Sequence, residues 1–355
     1  MDAFAQGPLV EDVRRIAVLR ANALGDLLVA LPAVEAIRAA YSDAEVVLLA
    51  RRWHRDFLCD RPGPIDRVVV LPDILGVSTP DDRGAPDGAP PDFLDEMRAE
   101  RFDLAVQLHG GGRYSNPFVR NLGARVTAGL RAPDAGPLDR WVRYAYWQHE
   151  TLRYLEVAAL VGAPPVSLQA RIAVTEADLA ESRRAAPVGG GRLVAVHPGA
   201  GDPRRRWPAD RFGAVADALV DAGARVVVTG DDGDRPLVEQ VVAAMRRPAL
   251  PLAGSVSLGG LAGLLSRCAL VVGNDTGPLH LARAVGAPTV AVYWAGNLLN
   301  AGPIGRGRHR APVSWTVHCP ACGANTLEER CGHDPSFVAS VQVDEVLEAV
   351  RDLFA

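Results

Sequence analysis

The chain is organised around residues 269–293, which read ALVVGNDTGPLHLARAVGAPTVAVY. A short apolar run at 270–272 precedes turn-forming residues at 273–278, apolar residues at helical spacing, and a second apolar run at 289–293. This pattern predicts a strand, a tight turn, a helix and a second strand. The first amides of a helix lack intrahelical partners and lie at the positive end of its dipole, so the turn before the predicted helix favours the binding of an anion.

Candidate anion contacts lie at the start of this predicted helix. Thr276 and Gly277 occupy the turn, and His280 follows one helical turn later on the same face, within reach of the same anion. Asp275 would repel a phosphate. The sequence leaves open whether its carboxylate caps the helix or accepts hydrogen bonds from a hydroxylated ligand.

The composition is that of a globular protein large enough for two domains. The 355 residues are 48% hydrophobic and 23% charged. The formal net charge of −4 argues against general nucleic-acid binding. All 38 basic residues are arginine, so a phosphate-binding cation must be a guanidinium or an imidazole. No apolar run approaches the roughly 20 residues that span a bilayer, and no signal-peptide pattern is visible, so we expect a cytoplasmic location.

The N-terminal half repeats the strand, turn and helix design. An apolar run at 16–20 is followed by a turn and by a helix with apolar residues on one face, and a further helix is predicted at 149–161. Residues 78–91, rich in Pro, Gly and Asp, are expected to form a surface loop. Alternation of strands and helices predicts a parallel sheet covered on both faces. The predicted strands are 16–20, 45–50, 67–71 and 104–108.

The alternation restarts after a charged helix at 176–186 and a Gly-rich run at 187–192. Such a restart predicts an α/β protein of two similar doubly wound domains that face each other across a cleft. The predicted organisation is a first domain at 1–172, a linker at 173–191, a second domain at 192–340 and a C-terminal helix at 341–355.

A second candidate ligand loop, residues 197–208, reads HPGAGDPRRRWP and joins a strand to a helix. Gly199 and Gly201 allow close backbone approach. Three consecutive arginines followed by Trp207 are typical of a solvated loop anchored in the core. Because ligands of open α/β sheets bind at the carboxyl ends of the strands, we expect this loop to converge with the turn at Thr276 instead.

These motifs resemble those of glycosyltransferase family 9, the ADP-heptose:lipopolysaccharide heptosyltransferases. The resemblance extends from about residue 16 to residue 350. It implies a GT-B fold, with two Rossmann-like domains, the nucleotide-sugar donor in the C-terminal one and the acceptor facing the N-terminal one. The matching motifs, in order, are Gly25-Asp26 with Leu31-Pro32-Ala33, His197-Pro-Gly-Ala, Arg205-Arg206-Trp207-Pro208 and Asp275-Thr276-Gly277-Pro278-Leu279-His280.

The resemblance implies that Asp26 is the general base of the reaction. From the residues alone, an Asp at a strand-to-helix turn is more often a helix N-cap, worth about 1 kcal/mol. As a base, Asp26 would take the proton of the attacking acceptor hydroxyl while the anomeric carbon inverts. The two roles compete for the same oxygen lone pairs.

The resemblance also implies the donor contacts. Thr276, Gly277 and His280 match residues that contact the donor phosphates, and Asp275 matches the residue that holds the donor sugar. Arg205 stands where the family usually has lysine, which keeps the charge but replaces a point donor with a planar fork.

The acidic pair Asp232 and Asp234 fits a short pattern that binds divalent metals in other transferases. Because Asp234 directly precedes Arg-Pro-Leu at a helix start, we interpret it as an N-cap instead. Asp232 follows a strand and is a candidate for hydrogen bonding to the nucleoside. We expect Arg205, His280 and helix amides to stabilise the leaving diphosphate, with no metal or other cofactor required.

Three further sets of residues remain open. Arg113 follows the fourth predicted strand and Arg51 follows the second. For each arginine, two interpretations stay open: it binds an anionic acceptor, or it is simply solvated. A C-x2-C pair followed by a C-x-H pair is a spacing typical of zinc ligands. The segment between the two pairs is shorter than in common zinc fingers. Similar tails occur in the resembled family without an essential role. The candidate ligands are Cys319, Cys322, Cys331 and His333.

The sequence therefore predicts an inverting, metal-independent glycosyltransferase that moves a heptose or related sugar from an ADP-sugar to a hydroxylated acceptor. The acceptor is a lipopolysaccharide core, another glycan or a small molecule. We expect no nucleic-acid partner and at most peripheral membrane contact through a lipid-linked acceptor. The alternatives are an inactive nucleotide-sugar-binding protein and another GT-B enzyme, such as a nucleotide-sugar epimerase.

Overall fold

Two parallel sheets, one in each half of the chain, are formed by the apolar runs and the turns between them. The structure is a computed structural model that describes residues 7–79, 84, 86–305 and 307–354. The chain divides into two compact units, Met1–Ala170 and Arg171–Ala355. Of the predicted loop at 78–91, residues 80–83 and 85 lie outside the described residues. Within the described part of the chain, no helix has the length and apolar character needed to cross a membrane.

The first unit is a six-stranded sheet in the order β3-β2-β1-β4-β5-β6, and every neighbouring pair is parallel. The order reverses between β1 and β4, which opens a crevice at the carboxyl ends of these strands. The strands are β1 (Arg15–Leu19), β2 (Glu45–Ala50), β3 (Arg67–Val70), β4 (Leu104–Gln107), β5 (Val126–Arg131) and β6 (Arg140–Arg143). The helices are α1 (Leu24–Ala40), α2 (Arg52–Leu58), α3 (Pro91–Ala99), α4 (Ser115–Asn121) and α5 (Glu150–Leu160).

The four strands predicted for this unit are confirmed, and the structure adds β5 and β6. Neither added strand has the apolar run of a buried strand: β5 contains Gly129, and β6 reads RWVR. A Cβ at Gly129 would lie 2.7 Å from the Cβ of Gln107 on the neighbouring strand, so glycine is needed for close strand packing there.

The second unit repeats the same strand order, β9-β8-β7-β10-β11-β12, with β13 paired to β11. All pairs are parallel, and the order reverses between β7 and β10. The strands are β7 (Arg192–His197), β8 (Ala224–Gly230), β9 (Leu250–Ala253), β10 (Leu270–Asn274), β11 (Thr289–Trp294), β12 (His309–Arg310) and β13 (Val313–Ser314). The helices are α6 (Glu176–Ala185), α7 (Ala209–Asp221), α8 (Arg235–Ala244), α9 (Leu258–Ser266), α10 (Gly277–Ala284), α11 (Ala295–Ala301) and α12 (Val343–Phe354).

Most of the predicted linker at 173–191 is part of the second unit. It contains α6, which packs closely against α9: a Cβ at Gly263 would lie 2.3 Å from the backbone oxygen of Asp178. Helix α6 begins with a capping box, in which Thr175 and Asp178 each accept a backbone N–H of the other. The predicted C-terminal helix likewise belongs to this unit, since α12 packs against α7 and β11.

Candidate active site

The predicted anion site lies where the strand order of the second sheet reverses. His197, the last residue of β7, is in register with Gly273 of the neighbouring strand β10. A Cβ at Gly273 would lie 2.6 Å from the backbone oxygen of His197, so the two strand ends can approach this closely only because residue 273 is glycine. The loops that follow the two strands therefore start side by side.

Asn274 forms hydrogen bonds with both ends of residues 197–208, the arginine-rich loop. Its side chain is fully buried, with Oδ1 accepting the backbone N–H of Trp207 at 3.0 Å and Nδ2 donating to the backbone oxygen of Pro198 at 2.7 Å. Sequence reasoning did not single this residue out, although a polar side chain ending an apolar strand is a usable signal. Trp207 is buried, as expected, and donates its indole N–H to Val341 at 3.0 Å.

Asp275 is the centre of a buried polar cluster. Its Oδ2 lies 3.3 Å from Nη1 of Arg205 and accepts a hydrogen bond from Asn297 at 2.6 Å, while Oδ1 lies 3.3 Å from Nε2 of His280. Burial opposes ionisation of this carboxyl, but hydrogen bonding to His280 and the charge of Arg205 outweigh it and lower the pKa of Asp275. Since Thr276 occupies the N-cap of α10 and Asp275 binds these partners, helix capping is not its role.

His280 is held between an arginine and a carboxylate. The guanidinium of Arg283 contacts Nδ1 of His280. Because arginine offers only donors, Nδ1 acts as the acceptor, and the proton of the neutral ring lies on Nε2, facing Asp275. The imidazole is thereby fixed in one orientation beside the start of α10.

A cavity of 520 Å³ opens at the carboxyl ends of these strands. Thr276 and Pro278 line it from the start of α10, and Arg206 lines it from the arginine-rich loop. Thr276 is extended (φ −160°) and its side chain makes no capping hydrogen bond. The amide of Gly277, the first helical residue, has no partner within the helix. The cavity wall therefore combines a helix start with a guanidinium.

The three consecutive arginines have different partners. Arg204 forms an ion pair with Asp202 at 2.5 Å, Arg205 binds Asp275, and Arg206 lines the cavity. Arg206, which the sequence interpretation did not select, is thus the cavity-lining cation of this loop. Arg204 and Arg205 lie in a short 3-10 helix, Pro203–Arg205, and Arg206 follows it in an extended conformation, so the three side chains face different surroundings.

The acidic loop after β8 differs in detail from the prediction. Asp232 is exposed and forms an ion pair with Arg235 at 2.7 Å, whereas Asp231 and Asp234 are among the described residues that line the cavity. Asp234 occupies the N-cap position of α8, as predicted, although its side chain makes no capping hydrogen bond. Its carboxylate packs against Gly199, and burial, together with the charge of Asp231, raises its pKa.

In the first unit, Asp26 is not an N-cap. Helix α1 begins at Leu24 with Ala23 at the N-cap, and Asp26 is the third helical residue. Its Oδ2 accepts the backbone N–H of Ala23 at 2.9 Å, and its Oδ1 forms an ion pair with Arg20 at 3.0 Å. The side chain is 34% exposed, so the carboxylate is oriented by two donors and still accessible to a ligand.

Arg20 is the residue that sequence reasoning missed here. It follows β1, and its side chain is 2% exposed. The guanidinium donates to the hydroxyl of Tyr154 at 2.7 Å and to the backbone oxygen of Leu108 at 2.9 Å, and it lies 3.4 Å from Glu150. Burial raises the pKa of Glu150 despite the nearby Arg20. The signal in the sequence that could have identified Arg20 is a charged residue at the end of an apolar strand, followed a few residues later by the acidic Asp26.

Two buried donors that follow β2, on Arg51 and on His54 of α2, lack acceptors. Within the described residues, no hydrogen-bond partner reaches Nε of Arg51 or Nε2 of His54. Burial lowers the pKa of His54 to about 3, and its Nδ1 accepts the backbone N–H of Arg51, so Nε2 carries the proton of the neutral ring. His109 and Arg20 contribute to the same electrostatic environment. Buried donors without acceptors are uncommon, and the oxygen of a water molecule or of a ligand would satisfy them.

Arg113 is not part of this cluster. Its side chain is 67% exposed, lies 4.0 Å from Asp134, and stacks over the ring of Tyr114. It lines a separate cavity of 110 Å³ beside Asp87. Of the two arginines considered for the acceptor, only Arg51 belongs to the electrostatic environment of Arg20, His54 and His109.

The four cysteine and histidine side chains singled out in the C-terminal segment come together. The sulfur atoms of Cys319, Cys322 and Cys331 and a ring nitrogen of His333 all lie within 4.8 Å of one another. Spacing in sequence alone left this convergence open.

Two Rossmann-like units, one with a cavity at its switch point, are the architecture of the GT-B fold. The chain belongs to glycosyltransferase family 9 (heptosyltransferase), whose sequence model matches residues 92–323. The protein is thus a glycosyltransferase.

Individual relatives agree with this assignment. Lipopolysaccharide heptosyltransferase 2 of Escherichia coli K12 is 25% identical over 301 residues, which cover 79% of this chain and 82% of the relative. A glycosyl transferase family 9 protein of Veillonella parvula has a similar fold, with a TM-score of 0.74 at 21% identity over 99% of this chain and 98% of its own. The structure of Escherichia coli ADP-heptose lipopolysaccharide heptosyltransferase II matches with a TM-score of 0.73 at 19% identity, over 96% and 98% of the two chains.

Proposed function

We propose that this enzyme transfers a heptose from ADP-heptose to a hydroxyl group of an anionic glycan, with inversion and without a metal ion in the chemical step. The observation that carries this proposal is the cavity at the switch point of the second sheet, where a helix start, Arg206 and the Asp275 cluster lie together. The relatives named above support the donor and the sugar, since they are described as ADP-heptose and lipopolysaccharide heptosyltransferases.

The donor diphosphate would bind at the start of α10. The amides of Thr276 and Gly277 and the guanidinium of Arg206 offer hydrogen bonds to its oxygens. Arg205 would add charge from the other side, and His280 would donate its Nε2–H to the diphosphate by turning it away from Asp275. As the glycosidic bond breaks, negative charge develops on the diphosphate, and donors fixed in advance stabilise it more than mobile water does.

Asp275 would act on the donor in two ways. Its carboxylate orients Arg205 and His280 before the donor binds. These side chains then lose less conformational entropy when the donor binds. In the proposed complex Asp275 also accepts a hydroxyl of the donor sugar, which would compete with the hydrogen bond from Asn297.

The nucleoside would lie against the loop after β8. Asp231 and Asp234 line the cavity there, and Asp232 stands between them at the surface. We propose that carboxylates of this loop, Asp232 among them, accept the ribose hydroxyls. The leucines of β9 and α9 that line the same cavity would contact the apolar faces of the base.

Asp26 would be the general base. Two fixed donors, Arg20 and the amide of Ala23, orient its carboxylate, and a third of the side chain remains exposed to receive an acceptor hydroxyl. The proton passes to Asp26 as the acceptor oxygen attacks the anomeric carbon and ADP leaves from the opposite face, which inverts that carbon.

The acceptor would carry negative charge. The unpaired donors of Arg51 and His54 lie in the same electrostatic environment as Arg20, so a carboxylate or phosphate of the acceptor would satisfy them. Arg113 is a second, more exposed candidate contact. A lipopolysaccharide core or another acidic glycan meets this requirement.

The test is an assay of ADP release from ADP-heptose, with and without a lipopolysaccharide core acceptor. We expect release that depends on the acceptor, and a loss of at least about 100-fold in kcat for Asp26→Asn. The matched control is Asp56→Asn, an exposed carboxylate in α2, which should leave the rate unchanged. Equal rates for the wild-type protein and Asp26→Asn would contradict the proposed base.

The same assay separates the alternatives. Calorimetric binding of ADP-heptose without turnover would indicate an inactive binding protein. Nucleotide release that is independent of any acceptor would indicate epimerase-type chemistry.

A further inference from the structure

The cysteine and histidine cluster at 319–333 has the composition of a closed metal site. We propose that Cys319, Cys322, Cys331 and His333 bind one structural transition-metal ion of the zinc type, and that this ion braces the arginine-rich donor loop. The ion would take no part in sugar transfer.

The distances within the cluster fit one ion. Tetrahedral zinc with sulfur ligands at about 2.3 Å places those ligands about 3.8 Å apart. The candidate ligand atoms already lie within 4.8 Å of one another, so small rotations of the side chains would complete the tetrahedron.

The backbone around the first two cysteines forms a tight turn. The N–H of Cys319 donates to the backbone oxygen of Ala324 at 2.9 Å. The turn closes with the N–H of Gly323 donating to the oxygen of Cys319 at 2.8 Å. Gly323 has φ +75°, a left-handed conformation that favours glycine. This turn holds the sulfur atoms of Cys319 and Cys322 close to each other, as a C-x2-C metal site requires.

A disulfide alone does not account for the cluster. Pairing Cys319 with Cys322 would leave Cys331 and His333 converging on the pair without a role. The two other cysteines are not part of this cluster: Cys268 is buried, and Cys59 is exposed on the first unit. Three thiolates and one imidazole make a closed set that favours zinc or iron over magnesium or calcium.

The segment that carries the cluster is anchored at both ends, to the end of β11 on one side and to the arginine-rich loop on the other. On one side, the indole of Trp294 donates to the backbone oxygen of Thr316 at 2.8 Å. On the other side, the hydroxyl of Ser336 donates to the oxygen of Arg206 at 2.6 Å, and the N–H of Phe337 donates to the oxygen of Arg204 at 2.7 Å.

A metal ion would therefore stiffen the support of the donor loop. Between Thr316 and Ser336 the chain is irregular, and a four-ligand ion would close it into a compact unit and reduce its freedom. The backbone oxygens that this segment contacts belong to Arg204 and Arg206, the latter lining the cavity. This consequence for ligand binding rests on the proposed function, whereas the metal site itself does not.

The first test is the metal content of the full-length protein, measured by plasma mass spectrometry after purification in reducing buffer. We expect about one zinc or iron ion per chain, lost in the double variant Cys319→Ser/Cys322→Ser and retained in the control Cys59→Ser. His333→Ala should weaken retention, whereas His333→Cys should keep it by restoring a fourth ligand. Absence of stoichiometric metal in the wild-type protein, before and after addition of zinc, would overturn the site.

Chelation gives a measurement that does not depend on a variant folding. Wild-type protein stripped of metal and reloaded with Co²⁺ should show the visible bands of tetrahedral cobalt and the near-ultraviolet thiolate band. A spectrum of hexa-aqua cobalt would contradict the assignment.

The bracing role is tested by calorimetric binding of ADP to metal-loaded and metal-stripped protein, together with limited proteolysis of the 316–336 segment. We expect several-fold weaker ADP binding and faster cleavage without metal. If metal binds but neither property changes, bracing is wrong. If ADP fails to bind under either condition, the proposed donor site is wrong, and the metal site is unaffected.

Discussion

Arg20 illustrates how one buried guanidinium organises the first unit at the scale of single residues. It contacts Asp26, the backbone oxygen of Leu108, and Glu150 and Tyr154 of α5, so its partners come from three separate parts of the chain. A planar group with five donors can satisfy this set, whereas a lysine ammonium with three donors from one point cannot.

Arg20→Lys is therefore expected to lower kcat more than it raises KM for the acceptor. The carboxylate of Asp26 would lose one of its two orienting donors, and a displacement of about 1 Å at a reacting group can cost about 100-fold. Steady-state kinetics of the variant measure this split. Arg15→Lys, in a half-exposed ion-pair network, is the control and should change neither constant. A change confined to KM would show that Arg20 binds the acceptor instead.

The second prediction at this scale concerns the pH dependence of stability. Burial lowers the pKa of His197 to about 4, whereas the unfolded chain takes up this proton near pH 6.5. Between these values the unfolded state binds more protons, so the free energy of unfolding falls as the pH falls, by about 3 kcal/mol in total for this residue. Urea unfolding at pH 7 and pH 4.5 should show a smaller difference for His197→Gln than for the wild-type protein. Equal differences would contradict the assignment.

At the scale of elements, the close approach of β7 and β10 sets the geometry of the donor site. Gly273 lies opposite His197, and a Cβ there would meet both the backbone oxygen of His197 and the side chain of Leu279 at 2.6 Å. The neighbouring Asn274 then reaches across to both ends of the arginine-rich loop. A change in the strand spacing would thus move the cations of the site.

Gly273→Ala should destabilise the protein by roughly 1–3 kcal/mol, because one strand must shift to accept the methyl group. Chemical denaturation measures the loss. Gly190→Ala is the matched control, since a Cβ at Gly190 meets no atom within 4 Å, and it should be neutral or slightly stabilising. Equal stabilities for the two variants would mean that β10 adapts without cost.

At the scale of the whole molecule, the chain consists of two units with the same strand order, each with its own core. The boundary of the second unit lies before α6. Glu181 of this helix accepts hydrogen bonds from the backbone and the hydroxyl of Ser257, both at 2.6 Å, and Gly260 and Gly263 allow α6 to contact α9 closely.

A fragment that begins at residue 171 is expected to unfold cooperatively, whereas one that begins at residue 192 exposes the face of α9 that α6 covers and should melt broadly or aggregate. Thermal unfolding followed by circular dichroism distinguishes the two. Similar cooperative transitions for both fragments would show that α6 contributes little to the second unit.

Much of this architecture could be predicted from the sequence. The apolar runs at 45–50 and 270–272, the turn at Gly273 and the alternation of strand and helix signals identified the parallel sheets, and helix geometry located the anion-favouring turn. The strand Arg140–Arg143 was missed because an edge strand with charged residues lacks the apolar pattern of a buried one.

The sequence by itself determined the class of fold, the restart of the pattern in the second half of the chain and the short-range chemistry of each turn, since strands, helices and turns depend on residues close together in the chain. Only the tertiary structure decided which charges meet. Asp275 lies 70 residues from Arg205, and Arg20 lies 134 residues from Tyr154, so no local pattern encodes these contacts. They arise because parallel strands bring distant loops to one edge of a sheet, where burial makes each charge depend on its partners.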